Sequence, residues 1–232
     1  MTQQDAQNTI DRVLDSKPQL KEAIERSHQQ AKQVRYVETI GGNYRRLDVV
    51  KSNDKSKVSR ALRQAFNAIV QGSGAYCTNN ALIMLGDELQ KHNLKAEMVL
   101  TVHDSIVVDC PPEEVSEVCD LMKYCFENLQ VPELLDLDVG NLRVPEKYLL
   151  GNGKFRLPLK GACEFGLNYN DDVEYDKEDL ATFKSVTGFC KYQYTLIQLK
   201  EYLQAGILTE DQYNGKLQQM EAVKPQFQAI GG

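Results

Sequence analysis

The polar–apolar pattern of residues 3–34 predicts helix, interrupted near Ser16-Lys17-Pro18. Proline suits a first helical turn, so Pro18 opens a second helix that reaches to about Arg35. In the string YVETIGGNYRRLDVV, Gly41-Gly42 lies between β-rich flanks, which predicts a hairpin. A polar stretch, KSNDKSK, leads into a helix from about Ser56 to Gln71. Gly72-Ser73-Gly74 is expected to break or bend it, with a further helix from about Tyr76 to His92. Met98–Asp109 is rich in β-branched residues around the polar trio His103-Asp104-Ser105, the pattern of a tight hairpin. Pro111-Pro112-Glu113-Glu114 starts another helix, whose apolar positions Val115, Val118, Cys119, Met122, Cys125, Phe126 and Leu129 recur at helical spacing. Residues 131–158 read as irregular and Leu159–Phe165 as a short strand. From Lys177 the pattern is helical to about Ala205, turns at Gly206, and resumes from Thr209 to about Val223.

The Ser56–Gln71 helix is informative about chemistry. At about 100° per residue, Arg60, Arg63, Asn67 and Gln71 fall within a polar arc of roughly 80°. Val58, Leu62, Ala65, Phe66 and Ile69 fall within roughly 100° on the opposite side. One face packs, and the other presents two guanidinium groups and two amides. Those groups suit phosphates and groove edges, which call for bidentate donors and donor–acceptor pairs. An ordinary solvated helix face is the competing reading.

Charge changes the picture of that helix. The chain has 27 basic and 33 acidic residues, a net charge of −6. A free-standing DNA-binding module is usually basic. Yet residues 31–63 hold nine basic residues against three acids. Near Asp171–Asp179 the sequence DDVEYDKED holds six acids and one lysine. A basic strip on an acidic body can hold a polyanion along one face, and a solvated loop region is the competing reading.

Composition bounds the rest. With 232 residues and 42% hydrophobic positions the chain can build a core, as one large domain or one and a half at roughly 150 residues per domain. Apolar runs reach about five residues, as at Ala81–Leu85, against about twenty for a spanning helix, so no membrane partner is expected. The start MTQQDAQNTI shows no basic region followed by an apolar one, so no secretory signal is expected. Six cysteines form no CxxC pair and lie near no histidine at zinc spacing. They read as reduced core thiols of an intracellular, cytoplasmic protein.

His103-Asp104 is the second chemical feature. A carboxylate at a hairpin tip is held rigidly and points away from the sheet, a good place to ligate Mg²⁺. Asp is also a common turn residue, which is the plainer reading. A phosphohydrolase built on a His-Asp pair needs further histidines, and only His28 and His92 remain. No GxxxxGK[ST] loop and no GxSxG elbow occurs, and nothing points to a nucleotide cofactor.

The two features together resemble a known family. RALRQAFNAIVQGSGA, a helix of about twenty residues, and then LTVHDSIVVDCPPEEV are similar to the end of family A DNA polymerases, the bacterial polymerase-I-like and phage replicative enzymes. In that family an R-x-x-x-N-x-x-x-Q-G-[TS] helix precedes a V-H-D hairpin, the third shared polymerase motif. Arg63, Asn67, Gln71, Gly72 and Ser73 match the first, and Val102, His103 and Asp104 the second. PQLKEAIERSHQQAKQVRYVETIGGNYRRL resembles the segment after the fingers, and LPLKGACEFGLNY the strand that ends the palm. The resemblance covers roughly residues 10–170, with an insertion near 132–156. Ser105 stands where many members have Glu. The first and second polymerase motifs and a 3′–5′ exonuclease have no counterpart in this sequence.

The resemblance implies an α/β (α+β) fold: part of a polymerase palm over residues 1–170, with end-of-fingers helices at its N-terminus, an antiparallel sheet and a catalytic hairpin backed by helices. Residues 171–232 would form a helical extension. It implies template-directed nucleotidyl transfer with two Mg²⁺ ions. Asp104 would be catalytic and a metal ligand, and His103 catalytic and in contact with the backbone near the primer terminus. Arg63, Asn67 and Gln71, with Arg60 beside them, would contact DNA. The implied partners are primer–template DNA, a dNTP and an N-terminal polymerase polypeptide carrying the fingers and first palm motif, as in a phage split polymerase. A non-catalytic DNA-binding remnant of a polymerase is the alternative.

Overall fold

The computed structural model describes residues 2–132, 150, 154–156 and 159–231. The chain divides into two units, Met1–Asn80 with Leu129–Leu157, and Ala81–Asn128 with Pro158–Gly232.

In the first unit Thr2 caps α1 (Gln3–Ser16): its hydroxyl accepts the Asp5 N–H at 3.2 Å while the Asp5 carboxylate accepts the Thr2 N–H at 2.8 Å. Pro18 opens α2 (Pro18–Val34), as its fixed φ favours. The predicted hairpin is β1 (Tyr36–Glu38) paired antiparallel with β2 (Tyr44–Arg46), in the register Tyr36↔Arg46, Val37↔Arg45, Glu38↔Tyr44. Gly42 supplies the positive φ, +80°, of its turn. Val37 and Leu47 pack with Ala31, Val50, Ala61 and Ala65 into one core.

The expected break at Gly72-Ser73-Gly74 does not occur. α3 runs unbroken from Lys55 to Lys91. A helical glycine costs about 1 kcal/mol relative to alanine, too little to end a packed helix. Gly72 instead admits the hairpin loop: a methyl there would lie 2.6 Å from Cγ2 of Thr39. Ser73 Oγ accepts the Ile40 N–H at 3.0 Å, fastening the same loop. Within 131–158, expected to be irregular, β5 (Gln130–Pro132) pairs antiparallel with β6 (Lys154–Arg156). Most of the insertion expected near 132–156 lies outside the described residues.

In the second unit β3 (Glu97–Val102) and β4 (Ser105–Asp109) form the predicted tight hairpin, with a register shift between Met98 and Leu100. A 3₁₀ turn at Pro112–Glu114 leads into α4 (Val115–Glu127). Its Glu114 carboxylate accepts the N–H groups of Lys95 and Ala96 and ties the start of β3 to this turn. The strand expected over Leu159–Phe165 is shorter and later, β7 (Glu164–Gly166). Its partner, β8 (Asp172–Glu174), comes from the acidic run and was not predicted. The Asn168 side-chain oxygen accepts the N–H groups of Asn170 and Asp171 at 2.8 and 3.0 Å and closes that turn.

α5 (Lys177–Leu180), α6 (Val186–Gln204) and α7 (Glu210–Gln228) follow, with Gly206 at φ +71° in the predicted turn. α7 extends past the expected end near Val223 and through Pro225. Lys224 sits over the Phe183 and Tyr192 rings, so the last turns are held by packing. Phe183, Phe189, Cys190 and Tyr192 share one buried core with Val115 and Cys119 of α4, Cys163 and Val173. Residues after 170 therefore complete the core of this unit. Cys119, Cys125, Cys163 and Cys190 are buried free thiols, and Cys77 and Cys110 are half-buried ones.

The fold is mixed, helices with small antiparallel sheets. Among the described residues every sheet is a separate two-stranded ladder, so the antiparallel palm sheet expected from the sequence is seen only as hairpins. No helix of the described residues is long and apolar enough to cross a membrane.

Candidate functional site

The polar face of α3 is as predicted. Arg60, Arg63, Asn67 and Gln71 are all exposed, while Ala61 and Ala65 are buried and Val58, Leu62, Phe66 and Ile69 half-buried behind them. At about 1.5 Å per residue, Arg63 and Gln71 stand about 12 Å apart along the helix. Arg63 Nη1 donates to Ser59 Oγ at 2.9 Å, which holds the guanidinium along the helix.

Two open grooves flank this face. One, of about 460 Å³, is lined by Arg63, Ser59, Lys55, Ser52 and His28 among others. The other, of about 250 Å³, brings Gln71 together with Asn43, Tyr44 and Arg45 of the β1–β2 hairpin. Burial, and then the Lys32 charge, push the His28 imidazole below its usual pKa. Sequence reasoning had singled out Arg63 and Gln71 but not the groove residues around them. The signal for those was the basic strip of residues 31–63, which contains Asn43, Tyr44, Arg45, Ser52, Lys55 and Ser59 but not His28.

His103 and Asp104 form the whole two-residue tip between the paired Val102 and Ser105. His103 takes φ +54°, the left-handed region that histidine enters more readily than most residues. Ser105 Oγ donates to the Val102 carbonyl at 2.8 Å and closes the turn from below. Both tip side chains are exposed. The Asp104 carboxylate is a hard oxygen donor of the kind Mg²⁺ takes, and the ion needs several such ligands. Among the described residues no three His, Cys, Asp or Glu gather to hold a metal. Asp104 offers one such oxygen ligand, fewer than the ion requires.

The hairpin under this tip is half covered. Ile106 is buried, but Val99 and Leu100 are 57% and 50% exposed and Val102 is exposed as well. Among the described residues the ladder has two strands, so both outer edges carry backbone groups without a neighbouring strand. The predicted residues fall in two sets. Arg60, Arg63, Asn67 and Gln71 share one helix face of the first unit, and His103 and Asp104 share one tip of the second.

Comparison with known proteins adds to this geometry. The model of the family described as DNA polymerase family A matches residues 1–145. A DNA polymerase of Bacillus phage SP01 is 36% identical over 134 residues, 53% of this chain and 14% of that protein. DNA polymerase I of Geobacillus stearothermophilus is 34% identical over 143 residues, 60% of this chain and 16% of that protein. The chain thus spans about one sixth of the length of these curated relatives. Among solved structures, the POL domain of Pol1 from M. smegmatis, in complex with DNA primer-template and dNTP, aligns with a TM-score of 0.52. It is 23% identical, covering 55% of this chain and 22% of that one, a likeness of fold.

Proposed function

Since the chain belongs to DNA polymerase family A, we propose that it supplies the third motif and the primer–template contacts of a DNA-directed DNA polymerase, and that a polypeptide carrying the fingers and the first palm motif completes the enzyme. One observation carries the reading: an exposed carboxylate at a hairpin tip occurs in the same chain as an exposed Arg–Asn–Gln face. Residues 1–170 are read as palm with end-of-fingers helices, and residues 171–232 as an extension packed on it.

In this reading the α3 face lies along the duplex minor groove. The acceptors there are shared by A·T and T·A, so Arg63, Asn67 and Gln71 sense duplex geometry rather than sequence. Arg60 lies beside them toward the phosphates. His103 holds the primer backbone near its 3′ end. Asp104 offers its carboxylate to one side of a shared Mg²⁺ site, and a second carboxylate comes from the completing polypeptide. When bound, the metal neutralises charge at the primer hydroxyl and the leaving pyrophosphate. The dNTP is received by groups of the completing polypeptide.

The exposed Val99, Leu100 and Val102 and the open strand edges support a completing partner, because uncovered apolar strands associate. Co-expression with a fragment carrying the first two motifs, then size-exclusion chromatography and primer extension, tests the proposal. The pair is expected to co-elute through an interface of about 2,000 Å² or more and to extend primers, while the chain alone does not. A chain that ignores the fragment, or that polymerises unaided, overturns the split-enzyme reading. A complex that binds duplex and incorporates nothing is the signature of a non-catalytic remnant.

A further inference from the structure

The β1–β2 ladder has two unlike faces. Residues two apart share a face, and so do cross-strand partners. Val37 and its partner Arg45 therefore point one way, Val37 into the core and Arg45 into the groove beside Gln71. Tyr36, Glu38, Tyr44 and Arg46 belong to the other face, with Tyr44 also lining the rim of that groove. Tyr44 is 68% exposed, unusual for so large a ring, and it meets Tyr36 edge to face with centroids 5.9 Å apart. Arg46 sits directly across from Tyr36 and is exposed. Glu38, the one acid on this face, leans to the turn, its Oε1 3.6 Å from where a Cβ would stand on Gly42.

This face is held firmly. Val37 is buried, the Leu47 N–H donates to the Arg35 carbonyl at 2.7 Å, and the hairpin loop is fastened to α3 through Ser73. Two rings and a guanidinium on a rigid, solvent-facing ladder do nothing for the core. They are what unpaired bases require: π-faces to stack on, and a cation for the phosphate between them. The platform also lies inside the basic strip of residues 31–63, where the field of an otherwise acidic chain turns positive.

We infer that the Tyr36–Tyr44–Arg46 face is a binding platform for single-stranded DNA, adjoining through Tyr44 the groove that holds Gln71 of the duplex-facing α3 residues. It rests on the reading of this chain as a DNA-polymerase component and adds to it a place for an unpaired strand. Bases stack on Tyr44 and Tyr36, and Arg46 meets the backbone. Such binding tolerates any sequence, because every base has a π-face.

The test uses the full chain and a labelled oligothymidylate of about twelve residues, within the roughly 4–16 nucleotides single-strand folds cover. Tyr44→Ala is expected to weaken binding at least about fivefold, the lower end of one lost stacking contact. Tyr44→Phe keeps a ring and is expected to bind within about twofold of the parent. Arg46→Ala is expected to lower the slope of log affinity against log salt by about 0.7, one single-strand phosphate contact. Tyr44 is largely exposed, so these variants fold. Unchanged binding by Tyr44→Ala, an equal loss in Tyr44→Phe, or tighter binding of oligouridylate than of oligothymidylate overturns the inference. Duplex binding by Arg63→Ala is measured in parallel. A loss there with none at Tyr44 removes the platform alone, and the reverse removes the duplex-facing reading of α3 while the platform stands.

Discussion

The two hairpins of this chain, β1–β2 and β3–β4, are both short antiparallel ladders, yet their surroundings treat them differently. β1–β2 buries Val37 on one face, against Ala31, Ala61 and Ala65, and shows aromatic and polar groups on the other. Its apolar side is complete, although among the described residues its outer edges are as open as those of β3–β4. β3–β4 buries Ile106 but leaves Val99, Leu100 and Val102 in water beneath an exposed acid. Solvent-facing apolar strands with open edges are a liability that folded proteins normally cover. The contrast separates a hairpin whose apolar side is covered from an unfinished one whose apolar side faces water, the side that the proposed completing polypeptide would cover. The same contrast separates the two kinds of chemistry proposed here. Contacts to DNA need one chain, and a shared metal site needs two sets of carboxylates.

The largest effect is expected at the tip of the unfinished hairpin. Asp104→Asn removes a charge from the metal clamp and should slow primer extension by the reconstituted complex roughly 10³-fold or more. Duplex binding should change far less. Single-turnover extension by the reconstituted variant measures it, and a near-parental rate removes Asp104 from the metal site.

Next in size is the apolar face below it. Leu100→Lys puts a charge where the proposal buries a leucine, worth about 1.5–3 kcal/mol before any cost of the ammonium. Affinity for the completing fragment should fall roughly 30-fold or more. The circular dichroism of the chain alone should be unchanged, since Leu100 is half exposed. Equal affinity by titration calorimetry would mean that this face is not the interface.

A smaller loss is expected on the complete side. Arg63→Ala should weaken duplex binding by about 1–3 kcal/mol, equally for A·T and T·A templates, because the minor-groove acceptors do not distinguish them. Anisotropy titrations with permuted duplexes check this. A strong dependence on base order, or no loss, argues against a groove-facing role for α3.

How much of this was legible depended on whether the deciding interaction was local. Pro18, the turns at Gly42 and Gly206 and the β3–β4 hairpin are set within a few residues, and the sequence reading placed them correctly. The continuity of α3 was not readable. It depends on Thr39 and Ile40 docking at Gly72 and Ser73, contacts more than thirty residues away along the chain. β8 was missed because its buried Val173, with Tyr175 just past its end, lies among acids, so charge masked a strand that exists by pairing with β7. The core linking Val115 and Cys119 to Phe189 and Tyr192 is long-range in the same sense. For the site, the helix face followed from periodicity and the tip from motif spacing. The grooves beside the face required knowing which loop packs where.

The smallest effect concerns His28, at the edge of the groove that holds Arg63 and Lys55. Burial is the main cause that lowers its pKa from the ordinary 6.5, with the Lys32 charge second. Below about pH 6.5 the unfolded chain therefore binds more protons than the folded one at this site. Its contribution to stability is complete above that pH and is lost as the pH falls through the depressed value. DNA binding should move the other way, because protonation adds a third cation to a groove that already holds a guanidinium and an ammonium. His28→Asn cannot titrate and serves as the reference. Relative to it, the parent chain should lose melting temperature between pH 7.5 and 5.5 while gaining duplex affinity at low salt. Thermal melts and anisotropy at the two pH values, each at two salt concentrations, measure both. If the two proteins respond alike, His28 is packing only, and the positive character of the groove comes from Arg63 and Lys55.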